Sequence, residues 1–243
     1  MGKQGAGGPA DVVAALRQEL ERAGDEAVRR STSRFFREPV TSYGVKTPVV
    51  REMARRSFRE LGQPGKGLVF SLCEELLGSG FLEEAVVAAD WAYRVRAAYE
   101  PGDFAIFEGW VGKYVDNWAK CDTLCNHAVG SFIGQFPEHL GGLKSWAVSG
   151  NRWMRRASAV TLVLPARNGL FLDDVLAIAS LLLHDGDDLV QKGYGWLLKE
   201  AGKAHPEEIF RFVMEHREDM PRTALRYAIE KMPPEWKKQA MGR

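Results

Sequence analysis

Apolar positions recur at helical spacing along almost the whole chain. Val12, Val13, Leu16 and Leu20 fall three and four residues apart and form a first stripe, as one face of an amphipathic helix requires. Thr47-Pro48 predicts the opening of another helix, with Thr47 as N-cap and Pro48 in the first turn. Asp187 is placed to cap a helix over 188–201, Pro206 to start one after His205, and Pro221 to start one after Met220. Strict alternation of the kind a half-buried strand needs is absent. The breaks are short, at Gly62-Gln63-Pro64-Gly65, Pro101-Gly102, Gly141-Gly142 and Asp185-Gly186. Short breaks between amphipathic helices predict antiparallel helical neighbours, hence an all-α fold.

A longer period underlies this pattern. Asp122, Arg156, Lys192 and Arg226 are separated by 34, 36 and 34 residues. Small residues follow the three bases, in Arg156-Ala157-Ser158-Ala159, Lys192-Gly193-Tyr194-Gly195 and Arg226-Tyr227-Ala228, as close helix stacking would need. Two helices per period of this length predict an α-solenoid. Tetratricopeptide signatures are not evident, so HEAT-like repeats, curved around a concave basic groove, are the better description. Equivalent positions of successive inner helices would then put one acid and three bases along that groove. The alternative is that four of the 65 charged residues fall in phase by chance.

Composition narrows the picture. The chain has 243 residues, enough for a sizeable core, and its net charge is +1. Any polyanion-binding face must therefore come from local clustering of its 33 Lys and Arg. Three cysteines, an odd number, argue against a disulfide scaffold and fit a reducing compartment. No apolar run approaches membrane-spanning length. Residues 1–9 are Gly-rich and lack the apolar core of a signal peptide, so they read as a flexible tail before a single domain over 10–243.

Trp118-Ala119-Lys120-Cys121-Asp122 carries the strongest candidate chemistry. An indole and a carboxylate four residues apart share one helical face, and an aromatic plate beside an acid can hold and cleave something flat and cationic. The plainer reading is a core-edge Trp and a solvated Asp. Trp196, one turn after Lys192, repeats the pairing with a base; its plainer reading is core packing. Asn151-Arg152-Trp153-Met154-Arg155-Arg156 is a basic cluster at a helix start. It suits an oxyanion partner, because Arg binds such groups through a bidentate fork, or salt bridges to neighbouring helices. Cys121, Cys125 and His127 lack the four-ligand spacing of a zinc site, and no phosphate-loop, dinucleotide or nucleophile-elbow motif stands in a suitable context. Lys120 points away from the Trp118/Asp122 face and is a weak nucleophile candidate.

Four blocks then resemble one known family: Tyr43-Gly44-Val45-Lys46-Thr47-Pro48, Asn117-Trp118-Ala119-Lys120-Cys121-Asp122, Trp153-Met154-Arg155-Arg156-Ala157 and Lys192-Gly193-Tyr194-Gly195-Trp196. Their order and spacing are similar to those of the AlkD family of DNA alkylation-repair glycosylases, from about Asp25 to Met232. The resemblance implies that Asp122 is the catalytic carboxylate, that Trp118 and Trp196 flank the lesion, and that Arg156 contacts the DNA backbone. Lys192, Arg226, Arg152 and Lys46 join it as expected backbone ligands. That family carries a Tyr several residues before the Gly-x-Lys-Thr-Pro block. Here the region reads Ser33-Arg34-Phe35-Phe36-Arg37, so Phe35 or Phe36 would keep the aromatic wall without the hydroxyl.

The implied reaction is hydrolysis of the N-glycosidic bond of N3- or N7-alkylated purines in duplex DNA, leaving an abasic site. It asks for no metal and no cofactor. The expected partner is double-stranded DNA with alkylated purines, bound by a monomer that is cytoplasmic and nucleoid-associated. A non-catalytic HEAT-like protein for damaged or branched DNA, and a protein-interaction solenoid, are the alternatives; Asp122 kept with both Trp speaks for the enzyme.

Overall fold

A computed structural model of the protein describes residues 8–242. The fold is an all-α solenoid of HEAT-like repeats, and no strand occurs among the described residues. The chain divides into two compact units between Glu100 and Pro101. The expected tail falls mostly outside the described residues. Pro9, assigned to it from sequence, is the first residue of helix α1 (Pro9–Ala23).

The first unit continues with α2 (Glu26–Ser33), α3 (Thr47–Glu60), α4 (Lys66–Gly78), α5 (Leu82–Arg94) and a 3₁₀ turn at Arg96–Ala98. Its core takes Val12, Val13, Leu16 and Leu20 from α1, Val50, Met53 and Ala54 from α3, Leu72, Cys73 and Leu76 from α4, and Val87, Ala88 and Trp91 from α5. Each such large side chain is worth about 1.5–3 kcal/mol when taken out of water. The Trp91 indole N–H, fully buried, donates to the Ala54 carbonyl at 2.9 Å, as a buried indole requires.

One buried carboxylate organises the loop into α3. Glu83 sits in the first turn of α5 and is 3% exposed. Its Oε1 accepts from the Ser42 hydroxyl at 2.7 Å and from the Gly44 and Val45 N–H groups at 2.9 and 3.0 Å, and its Oε2 from the Tyr43 N–H at 3.0 Å. A carboxylate at a helix N-terminus also meets the positive end of the helix dipole. Gly44 has φ +85°, and a Cβ there would stand 2.3 Å from the Asp25 carbonyl oxygen, so the glycine is required by both conformation and space. The Tyr43 hydroxyl donates to Glu84 at 2.7 Å, which Arg17 also holds at 3.0 Å. This explains the Tyr43–Pro48 block: its first residues are pinned, so that Lys46 is delivered as the N-cap of α3. Thr47 is therefore inside the helix, not its cap, and no side chain caps it. Replacing Glu83 by Gln keeps the shape but turns an amide N–H₂ towards backbone N–H donors. We expect a loss of about 1–3 kcal/mol in a urea melt; an unchanged midpoint and slope would contradict the pinning role.

The second unit contains α6 (Asp103–Tyr114), α7 (Trp118–Leu124), a π-helical turn at Cys125–Val129, α8 (Gly130–Gln135), a 3₁₀ turn at Pro137–His139, α9 (Leu140–Ala147), α10 (Arg152–Val160), α11 (Val163–Arg167), α12 (Leu172–Leu181), α13 (Asp188–Ala201), α14 (Pro206–His216), α15 (Arg222–Ala228) and α16 (Pro234–Met241). Asp187 caps α13 as expected, accepting from the Leu189 and Val190 N–H groups. Gly141-Gly142 is not a break; both residues lie inside α9. A Cβ at Gly142 would stand 2.4 Å from the Phe104 ring, and that ring stacks on Trp146 and His139. The glycine therefore serves packing, at the small cost a helical glycine carries.

Helices α7, α10, α13 and α15, which carry the four residues of the long period, pack in series, each against the next. Their small residues allow it. A Cβ at Gly195 would meet Tyr227 Cβ at 2.7 Å and the Ala224 carbonyl at 2.8 Å, while Ala157, Ser158 and Ala159 are fully buried.

Candidate active site

Asp122 and Arg156, 34 residues apart in sequence, face each other across the packed pair of helices α7 and α10. Helix α7 starts at Trp118 because the buried Asn117 caps it, accepting from the Lys120 N–H at 3.0 Å. Asp122 lies one turn after Trp118. The π turn that follows covers Cys125–Val129, and at Gly130, directly after it, a Cβ would stand 2.8 Å from the Thr161 carbonyl oxygen. Such single π turns often occur at functional sites.

The pairing is a two-pronged fork. Arg156 Nε donates to Asp122 Oδ1 and Nη2 to Oδ2, both at 2.8 Å, while Nη1 donates to the Leu189 carbonyl in the first turn of α13. Three of the five guanidinium donors are thus committed. Gly193 leaves room for this: a Cβ there would stand 3.3 Å from Arg156 Cγ. The Arg156 side chain is 7% exposed and that of Asp122 18%, so the carboxylate is the member of the pair that solvent or a ligand can reach. Each carboxylate oxygen keeps a lone pair outside the fork. Burial pushes the Asp122 carboxyl above the ordinary aspartate range, and the nearby guanidinium, by charge and hydrogen bonding, offsets this only in part.

The other candidates are distributed as follows. Trp118 and Trp196 are half-buried, in α7 and α13. Lys192 is half-exposed and bridges to Asp188 at 3.2 Å, one turn earlier. Arg226 is exposed on α15. Arg152 pairs with Asp187 at 2.8 Å and lies over the Trp153 ring. Arg155 pairs with Asp185 at 2.6 Å and donates to the Ser149 carbonyl at 2.9 Å. The basic cluster at the start of α10 is thus also a set of ion pairs. In the first unit, Lys46 is exposed, Phe35 is 72% exposed and Phe36 is half-buried. Lys120 is buried, with its ammonium 2.9 Å from Asp116.

Two participants lie beyond what the sequence suggests. The Leu189 carbonyl is a backbone group and leaves no sequence signal. Gly193 reads in the sequence only as a stacking residue, although its place directly after Lys192 on the long period brings it under Arg156.

All three cysteines, Cys73, Cys121 and Cys125, are fully buried, and burial pushes the Cys73 and Cys121 thiols well up. Among the described residues no group of three or more His, Cys, Asp or Glu could hold a metal ion, and no helix is long and apolar enough to cross a membrane.

The family model for DNA alkylation repair enzymes matches residues 16–232. Among solved structures, a protein described as a predicted DNA alkylation repair enzyme from Enterococcus faecalis is similar, with a TM-score of 0.77 at 16% identity, over 87% of this chain and 97% of that one. No curated protein matches the chain.

Proposed function

Because the chain belongs to the family of DNA alkylation repair enzymes, we propose that it is a monofunctional glycosylase, releasing cationic N3- and N7-alkylated purines from duplex DNA. The observation that carries this reading is the partly exposed Asp122 carboxylate, held by the two-pronged fork of Arg156 one helical turn from Trp118.

The chemistry asks little more. An N3- or N7-alkylated purine already bears positive charge, so the bond from the sugar C1′ to the base nitrogen is weakened. When it breaks, both bonding electrons go to the base, which leaves neutral, and positive charge passes to the sugar. The Asp122 carboxylate stabilises that oxocarbenium and orients a water molecule, whose oxygen bonds to C1′ as one of its protons passes to the carboxylate. The indole faces of Trp118 and Trp196 suit a cationic base or sugar through cation–π attraction. Lys46, Lys192, Arg226 and Arg152 supply positive charge for phosphates. With most of its donors committed, Arg156 acts in this reading mainly by holding Asp122 ionised and in place.

The test is incubation with duplex DNA carrying 7-methylguanine and 3-methyladenine, with free base measured against spontaneous loss. Release above background is the expected result. Binding without release would instead favour a non-catalytic protein for damaged DNA. The working form of Asp122 is the carboxylate, and its ionised fraction falls as pH drops through a raised pKa. The acid limb of the release rate is therefore expected above the ordinary aspartate range. A single-turnover pH profile, corrected for acid-driven depurination, checks this; a rate flat down to the pKa of a solvated aspartate, about 3.9, would contradict it.

A further inference from the structure

The near-zero net charge conceals an asymmetry. Residues 26–60 contain nine Lys and Arg against four Asp and Glu, a surplus of five, whereas the whole chain has a surplus of one. The remaining residues therefore carry four more acids than bases. This basic stretch comprises α2, the pinned loop and α3, all in the first unit.

Helix α3 sorts its residues sharply. Val50, Met53, Ala54 and Ser57 are buried, while Arg51, Arg55 and Arg59, spaced four apart, are exposed and form one ridge on the opposite side. Lys46 stands exposed at the start of the same helix. On α2, Arg30 and its C-cap Arg34 are also exposed and four apart. Arg30, Arg34, Arg51 and Arg59 have no acidic partner among the described residues. Arg55 pairs only with Glu52 of its own helix, where both side chains are more than half exposed. Exposed pairs of this kind are worth at most about 1 kcal/mol, so a phosphate can replace the carboxylate at little cost. Regularly spaced guanidinium groups, two of the three without an acidic partner among the described residues, suit a polyanion whose charges repeat along a line.

We propose that the Arg51/Arg55/Arg59 ridge of α3 is a sequence-independent grip on the DNA phosphate backbone, separate from the residues that act on the lesion. The proposal rests on the DNA-repair reading above for its choice of polyanion. A membrane surface would also require an exposed apolar face, and α3 turns its apolar face inwards. The ridge contributes affinity for undamaged and damaged duplexes alike, by releasing counterions, and contributes nothing to bond breakage once DNA is bound.

The test uses the full chain and an undamaged fluorescent duplex, with binding measured from about 50 to 200 mM salt, the range over which phosphate neutralisation shows. The variant Arg51→Gln/Arg55→Gln/Arg59→Gln is compared with wild type and with a charge-matched control, Lys203→Gln/Lys231→Gln/Lys237→Gln. Circular dichroism melts establish that each is folded. The ridge variant is expected to flatten the plot of log K against log salt by about 2–3, at about 0.9 for each phosphate no longer neutralised, and the control by less than about 1. Release of 7-methylguanine at saturating protein should stay within twofold of wild type. A ridge variant whose slope matches the control overturns the proposal. So does loss of affinity for phosphatidylserine vesicles without loss for duplex DNA. If the slope flattens as expected but wild type releases no base, the grip stands and the glycosylase reading falls; release with an unaltered slope gives the reverse.

Discussion

Asp122→Asn is expected to lower the single-turnover rate of alkylpurine release by about 10²–10³-fold, the effect of removing one preorganised electrostatic group from a transition state, or about 2.7–4 kcal/mol. The substitution keeps the size of the side chain and one acceptor for Arg156, but removes the charge that the proposed mechanism sets against the oxocarbenium. Affinity for undamaged duplex should change little, since the carboxylate repels phosphates if it acts on them at all. The variant buries a guanidinium without its counter-ion, so its melting temperature must be measured first and the assay run well below it. Release at the wild-type rate from a folded Asp122→Asn protein would remove Asp122 from the catalytic role.

Arg156→Ala should damage both stability and activity. It leaves Asp122 largely buried with no guanidinium, and breaking a buried pair from one side costs about 3–5 kcal/mol. For a chain of this size that corresponds to about 6–20 °C in melting temperature. The influences that lower the Asp122 pKa are those of Arg156, so removing them moves the acid limb of any residual activity to higher pH. Arg156→Lys restores a charge but not the fork; it should recover part of the stability and less of the rate. A melting temperature within about a degree of wild type for Arg156→Ala would show that the pair does not hold the two helices, and an unmoved acid limb that it does not set the ionisation of Asp122.

Much of this site is readable in the sequence alone, though not how it is held. The recurrence of Asp122, Arg156, Lys192 and Arg226 on one period places them on successive stacked helices, because stacking in a solenoid repeats the sequence register. It does not show that the first two form a bidentate pair, since an ion pair depends on side-chain direction and on the room left by Gly193. The family resemblance therefore puts Arg156 at the DNA backbone, whereas most of its donors are turned to Asp122 and Leu189. The helix over 188–201 is legible because Asp187 is a strong local cap. Gly141-Gly142 misleads because glycine marks either a break or a close approach, and only the Phe104 ring distinguishes them. The role of Glu83 cannot be read at all: three of its four partners are backbone N–H groups about forty residues away, the fourth being the Ser42 hydroxyl. The basic surplus of residues 26–60 is present in the sequence, but whole-chain charge averages it away.

The burial of the cysteines has a chemical consequence for a protein that repairs alkylated DNA. Alkylating agents seek nucleophiles, and the thiolate is the foremost one a polypeptide can offer. Here none of the three sulfurs is reachable by solvent, and two have their protons held tightly by apolar surroundings. The electrophiles that create the lesions thus find no ready thiol target on the folded protein.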